Sequence, residues 1–396
     1  MKYRLISGDS HLEVPCVRWT HRVPSKYRMQ APSSIKLPDG GDGFFAESGR
    51  VFFGGTGQYS GRSPETFSPT AAVDFDSAVG CGPPAQRIVE QFADGVDAEL
   101  LFPSNTAMKV IRTIRDDDAF GAMIRAYNDY LAEEYCAYAP DRLLGAGVLP
   151  HRGLERDLRE MEHCARIGLK TVVVGKYPGG ESYPTAEDAR FWAAAVDLDM
   201  PVTIHTTLSH GRGPTFAYPK WPPDEVFDDD YITRLFRHGH RHSGALEACQ
   251  LVIAGVFDQF PNLRIYWAEN QVGWLPYYYQ QMDLEYERNH FWAERELGVK
   301  PLARRPSEYL REHAYWGFFD DPLGMRLRAE VGVDRIIWGS DFPHIITTWP
   351  RSGEKLDAQL EGATAEDRER IMSKNLIEFL HLEAAPVILR PQPKDP

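Results

Sequence analysis

The sequence predicts a closed (β/α)8 barrel, and three observations lead there. Short apolar, β-branched runs alternate with longer stretches whose apolar residues recur every three or four positions. Eight runs and eight stretches share 396 residues, which suits one large barrel as well as two or three ordinary domains. The first run is followed by Ser10-His11-Leu12-Glu13-Val14-Pro15, without the glycines that an open doubly wound sheet uses to hold phosphate. Strands that alternate with helices pair in parallel through right-handed crossovers, and eight of each close a ring.

The expected strands are residues 3–9, 97–103, 143–149, 170–176, 200–206, 263–269, 312–318 and 334–341. The expected helices are 84–96, 117–138, 152–167, 186–198, 242–260, 273–286, 322–331 and 365–380. In the second of these, Phe120, Ile124, Tyr127 and Leu131 step by three or four, as one face of a helix requires. Two insertions break the rhythm, at about 10–83 and 208–241, each after a strand end and so expected over the barrel mouth. The first is rich in Gly, Pro and Ser, and its Phe44-Phe45 and Val51-Phe52-Phe53 pieces are expected to form a small hairpin. The second carries Trp221 and the acidic run Asp228-Asp229-Asp230. Residues 1–385 read as a single barrel domain, and 386–396 as a Pro-rich, loosely ordered tail.

Composition narrows the function. With 44 Lys and Arg against 57 Asp and Glu, the net charge is −13 and spread along the chain. Nucleic acid wants clustered cations on one face, so it is not expected as a partner. No stretch approaches the roughly 18–20 apolar residues of a membrane span, and the N-terminus lacks a signal-like apolar segment. The expectation is a folded cytoplasmic protein. Five scattered cysteines, Cys16, Cys81, Cys136, Cys164 and Cys249, point to reduced buried thiols rather than a disulfide framework or zinc knuckle.

A charged residue at the C-terminal end of a barrel strand points into the mouth. Strand one ends Gly8-Asp9-Ser10-His11, and alternation puts Asp9 and His11 on one side. Strand five ends in His205, strand six in Glu269, and strand eight in Gly339-Ser340-Asp341-Phe342-Pro343-His344. Any one of these has a bland explanation: a satisfied rim histidine, or an Asp341 that caps a turn. Four strands ending this way together suggest a divalent transition metal, zinc, iron or manganese.

Asp9-x-His11, His205 and the Gly-Ser-Asp-Phe-Pro-His ending resemble the amidohydrolase superfamily, in its amidohydrolase-related branch. The run Phe260-Pro261-Asn262-Leu263-Arg264-Ile265, then Gly273-Trp274-Leu275-Pro276 and Asp283, adds to the likeness, which covers nearly the whole barrel. That branch includes metal-dependent hydrolases and the aminocarboxymuconate semialdehyde and resorcylate decarboxylases. The resemblance implies that Asp9, His11, His205 and Asp341 are metal ligands. Two departures stand out. Asp9 occupies the place of the first histidine of the usual H-x-H, and Glu269 stands where the decarboxylases carry a histidine. Glu269 then becomes a further ligand, able to support a second ion, so one or two ions are open. Lys176 sits where hydrolytic members hold a carboxylated lysine; a substrate-contacting cation is the preferred reading.

A bound divalent ion lowers the pKa of its water from 15.7 to roughly 7. Asp341 is placed to take the proton of that water, and His344 to orient the proton or contact substrate. His205 completes the expected catalytic set. The expectation is therefore a metal-dependent hydrolase of an ester, thioester, amide or lactone carbonyl on a small hydrophobic acid-derived metabolite. The alternative is non-oxidative decarboxylation of an aromatic or conjugated acid. Phe216, Tyr218, Trp221, Trp316, Phe318, Phe342 and Trp349 are expected around the mouth, as aromatic walls suit a small-molecule pocket. Arg212 and Lys220 are candidate anchors for an anionic group, with Trp316, Phe342, Lys176 and Arg212 the chosen substrate contacts. The run Gly273-Trp274-Leu275-Pro276-Tyr277-Tyr278-Tyr279 is apolar enough to predict a homodimer or larger assembly.

Overall fold

Each of the eight expected runs overlaps a strand in the computed structural model, which describes residues 3–53, 60, 62–66, 72–205 and 244–382. In chain order the strands are β1 (Ile6–Leu12), β2 (Ser33–Lys36), β3 (Asp42–Phe45), β4 (Phe52–Phe53), β5 (Ala98–Pro103) and β6 (Leu143–Val148). They continue with β7 (Thr171–Val173), β8 (Val202–His205), β9 (Ile265–Ala268), β10 (Ala314–Phe318) and β11 (Ile336–Trp338). The large sheet has the order β1-β5-β6-β7-β8-β9-β10-β11, all neighbours parallel. Closure comes just past β11: Ser10 bridges Phe342 in parallel. The His11 N–H donates to the Phe342 carbonyl at 2.7 Å, and the Asp341 N–H to the Asp9 carbonyl at 2.8 Å. The parallel barrel is present.

Helices separate the strands. The first, Pro84–Asp94, opens on a proline at its first turn, where the missing N–H costs nothing, and stops at Gly95 with φ 73°. Its inner face is polar: Arg87, Glu90, Gln91 and Asp94 are all buried. The helix expected at 273–286 runs further, Leu275–Leu297. The one expected at 365–380 is interrupted by a π turn, Arg370–Lys374. Among the described residues, three α-helices were not expected: Asn105–Ile111, Pro306–His313 and Ser352–Gln359. Among the described residues no helix is long and apolar enough to cross a membrane.

The strands carry apolar residues on both faces, as a sheet covered on both sides must. Ile6, Leu100, Phe102, Leu144, Ala146, Tyr266, Ala268, Tyr315 and Ile337 form one buried cluster. Leu5, Leu101, Val202, Ile204, Trp267, Trp316 and Trp338 belong to the other, together with the helices. Phe379 closes the lower end, its ring 5.6 Å from Tyr266 and 5.2 Å from Tyr315.

One irregularity sets the site. Ser7 pairs with Glu99 but Ser10 with Leu101, so β1 holds one residue more than β5 between these pairs. Such a bulge shifts the alternation of the strand by one. Ile6 faces the interior before it and His11 after it, although five positions separate them. The bulge needs room: a Cβ on Gly8 would lie 2.3 Å from Ile337 Cγ2, and one on Gly339 2.5 Å from Asp9 Cβ.

In the first insertion, β3 pairs antiparallel with β4, the expected hairpin, and β2 adds a third strand. This insertion reaches the mouth, since the Ser60 N–H donates to the Pro343 carbonyl at 3.3 Å. Residues 208–241, with Phe216, Tyr218, Lys220, Trp221 and the acidic run, lie outside the described residues, as does the tail.

Candidate metal centre

The two inward side chains after the β1 bulge meet the ends of β8 and β11. His11 Nε2 stands 3.5 Å from Asp9 Oδ1 and 3.3 Å from Asp341 Oδ1. His205 Nε2 stands 3.5 Å from the same Asp9 oxygen and 3.9 Å from Glu269 Oε2. Donor atoms of Asp9, His11 and His205 lie within 4.8 Å of one another. Both Asp9 oxygens, His11 Nε2 and His205 Nε2 are buried without a hydrogen-bond partner. Buried polar atoms are normally paired, so four orphans facing one point are a cradle for a cation. The tautomer agrees: His11 Nδ1 faces the Pro103 carbonyl at 3.4 Å, which leaves the Nε2 lone pair free for a metal.

Backbone strain accompanies the donors. Glu269 has φ 57°, Gln271 φ 54° and Asp341 φ 53°, conformations that non-glycine residues rarely adopt. Two of these three, Glu269 and Asp341, carry carboxylates of the site. Below it, the hydroxyls of Ser7, Ser10 and Ser340 bond one another at 2.9–3.1 Å, and Ser10 donates to Glu99 at 3.1 Å. Glu99 is paired with buried Arg87 at 2.7 Å. Arg87 also donates to the carbonyls of His11 at 3.1 Å and Phe342 at 3.4 Å, tying together the segments that carry His11 and Asp341.

His344 and Glu13 complete the cluster. His344 Nδ1 lies 2.9 Å from Asp341 Oδ1 and its Nε2 lies 3.3 Å from Glu13 Oε1. With a carboxylate on each nitrogen, the ring donates twice, the pattern of an imidazolium. Burial pulls its pKa down, but Asp341 and Glu13 outweigh that and hold it well above the ordinary value. Burial likewise lifts the carboxyls of Asp341 and Glu13, and the neighbouring imidazoles and hydroxyl outweigh it, so both stay ionised. For His205, burial is overcome by Asp9, then Glu269 and Asp341, and its pKa is raised. A bound cation would displace that proton, since a ligating imidazole must be neutral.

The structure therefore brings Asp9, His11, His205, Glu269, Asp341 and His344 together. Lys176 is half-buried, three residues beyond the end of β7. Arg212 lies outside the described residues. Two expected substrate contacts need correction. Trp316 points outward, its ring 4.9 Å from Trp267 and 5.5 Å from Trp274 in the layer under the helices. Phe318 shares that layer. Phe342 lies under the Arg87 guanidinium at 4.4 Å and 5.4 Å from Trp349; it braces the closure rather than lining the cluster. Glu13 was missed, although Asp9, His11 and Glu13 continue one alternation. The cysteines are all free thiols.

A parallel barrel whose strand ends carry imidazole and carboxylate donors has the layout of a metal-assisted barrel enzyme. The chain belongs to the amidohydrolase family, whose model matches residues 21–382. It is 23% identical over 309 residues to a 2-amino-3-carboxymuconate-6-semialdehyde decarboxylase of Dictyostelium discoideum, covering 76% of this chain and 78% of that one. It is 25% identical over 244 residues to a gamma-resorcylate decarboxylase of Rhodococcus jostii, covering 55% of this chain and 65% of that one. In three dimensions it resembles a 5-carboxyvanillate decarboxylase of Novosphingobium aromaticivorans, solved with manganese and 4-hydroxy-3-methoxy-5-nitrobenzoic acid. That match has TM-score 0.63, 18% identity and covers 96% of each chain, which shows the shared fold. These relatives overturn the hydrolase expectation: the curated proteins that the chain resembles are decarboxylases. Glu269 in place of histidine does not decide between the two, because the same donor set serves either chemistry.

Proposed function

We propose that the chain is a metal-dependent, non-oxidative decarboxylase of an aromatic or conjugated carboxylic acid. The observation that carries this reading is the group of orphaned donors on Asp9, His11 and His205 beside Asp341, in a chain whose curated relatives release carbon dioxide from such acids. Asp9, His11, His205 and Asp341 would hold one divalent ion such as manganese, zinc or iron, with Glu269 the reserve ligand for a second. When bound, the ion would anchor the substrate's oxygens and draw charge from the ring.

The rest falls to this chain's own groups. Decarboxylation breaks the carbon–carboxyl bond, leaves the electron pair on carbon and needs one proton there. The His344 imidazolium, whose Nδ1 lies 2.9 Å from Asp341 Oδ1, gives up its proton through Asp341 to the carbon as carbon dioxide leaves, and solvent reprotonates His344. The His205 ring packs 4.7 Å from that of Phe102, which fixes the orientation of its imidazole. Lys176 and Arg212 are the proposed cations for a second anionic group on the substrate. We place the protein in the cytoplasm as a homo-oligomer, with residues 1–385 as one domain.

The test is release of carbon dioxide from a panel of ortho-hydroxybenzoic and conjugated dienoic acids by manganese-loaded protein, beside activated esters, thioesters and lactones. Turnover of an acid supports the proposal. Turnover of esters alone, or of nothing by metal-loaded protein, overturns it.

A further inference from the structure

We infer that Glu13 is a positioning residue for the metal centre, acting on Asp341 through His344. The inference rests on the metal site proposed above and assigns a role to a residue outside the ligand set.

The argument starts from an expensive placement. Glu13 is completely buried, and a buried carboxylate is tolerated only where its oxygens are hydrogen-bonded and its charge is matched. Both oxygens are used. Ser104 Oγ donates to Oε2 at 2.7 Å and the Asn105 N–H donates to Oε1 at 3.2 Å. Ser104 is itself fixed, since its Oγ accepts from the Ala107 N–H at 3.1 Å. The Glu13 carboxylate thus has one set position, and the cation placed against it is His344, at 3.3 Å.

His344 is held from both ends. Its ring lies 3.9 Å from that of His11, tilted by 30°, so a ligand's own ring forms one wall. Nδ1 then meets Asp341 Oδ1 at 2.9 Å, and that same oxygen is 3.3 Å from His11 Nε2. Asp341 has φ 53°, a strained conformation that persists only where neighbouring groups hold the residue in place, and its carboxylate is gripped by the His344 ring. Glu13 supplies that hold by fixing the ring that grips it. A partner behind a metal ligand typically carries 10–100-fold in affinity, and here the partner is reached through one imidazole.

The test measures manganese binding to the full-length apoprotein by titration calorimetry, apart from any turnover. Glu13→Ala is expected to weaken binding by about 10–100-fold. Glu13→Gln keeps an acceptor for Nε2 and is expected to recover part of the loss. Ser104→Ala, which frees Glu13 without removing it, should fall between. In cobalt-substituted protein, Glu13→Ala should shift the visible ligand-field bands as Asp341 turns, a signature that general loosening would not give. Matching melting curves for Glu13→Gln and wild type keep folding out of the comparison. If Glu13→Ala or Glu13→Gln folds and binds manganese with unchanged affinity and bands, the inference fails. It fails equally if the variants bind one ion fewer, which would make Glu13 a ligand. Wild type that takes up no metal would sink the proposed metal site instead, a separate result.

Discussion

Gly339 lies so close to Asp9 that a Cβ on the glycine would stand 2.5 Å from the aspartate's own Cβ and 3.0 Å from its backbone nitrogen. The last strand closes on the first at the point where Asp9 emerges, and glycine is what permits it. Gly339→Ala is expected to cost about 1–3 kcal/mol, the usual range for overpacking, and to weaken manganese binding as Asp9 is displaced. Urea unfolding and calorimetry on the same variant check both. Unchanged values for the two would show that the strands can part without harm.

Removal of the ion gives a second prediction. Dialysis against a chelator should abolish decarboxylation, and manganese should restore it. Asp9→Asn and His205→Ala should each lower metal affinity by about 100-fold or more, exceeding what partners behind a ligand carry. Chelated protein that retains full activity would contradict this.

Arg87 offers a third. It is buried with Glu99 and bonds the carbonyls of His11 and Phe342. Breaking a buried pair by removing one partner typically costs 3–5 kcal/mol, so Arg87→Met should lose about that much stability. Arg87→Lys keeps the charge but not the fork, and should retain the fold while weakening metal binding. Equal metal affinity in the lysine variant would show that the guanidinium does not hold the ligands.

A fourth concerns pH and lies away from the site. Burial, with Arg264 at 3.0 Å from Nδ1, holds the His313 pKa below its ordinary value. Below about pH 6.5 the unfolded chain gains a proton at this residue that the folded one resists, so stability falls as pH falls. His313→Phe removes the titration and keeps a ring to stack on Phe257, now 4.5 Å away. The stability difference between wild type and variant should shift against wild type between pH 8 and pH 5. A flat difference curve would show that His313 titrates alike in both states.

Assembly gives the last. Of the apolar run 273–279, Tyr277 alone is exposed, and Phe291 and Trp292 are exposed further along the same helix. If this strip joins two copies, Trp292→Glu should shift the mass by light scattering from dimer to monomer. Wild type that is already monomeric at micromolar concentration excludes the homodimer.

The barrel was legible because each strand and most helices announce their period. The proposed ligands were legible because Asp9, His11, His205 and Asp341 stand where strands end. Trp316 was misread for a physical reason: Ala314-Tyr315-Trp316-Gly317-Phe318 is apolar on both faces, so its pattern cannot say which side looks inward. Glu13 continues the spacing of Asp9 and His11, yet its partner is 331 positions away in the chain, and no local pattern joins them. Nor does any local pattern separate hydrolysis from decarboxylation, since both draw on the same donors.

The extra residue in β1 acts like a reading frame for the active centre. Straighten the strand so that every residue from Ser7 to Ser10 pairs in turn with β5, and the lumen would receive a serine hydroxyl while the aspartate and imidazole turned toward the helices. Transplanting this site onto another barrel would therefore mean copying a defect in the strand along with its side chains.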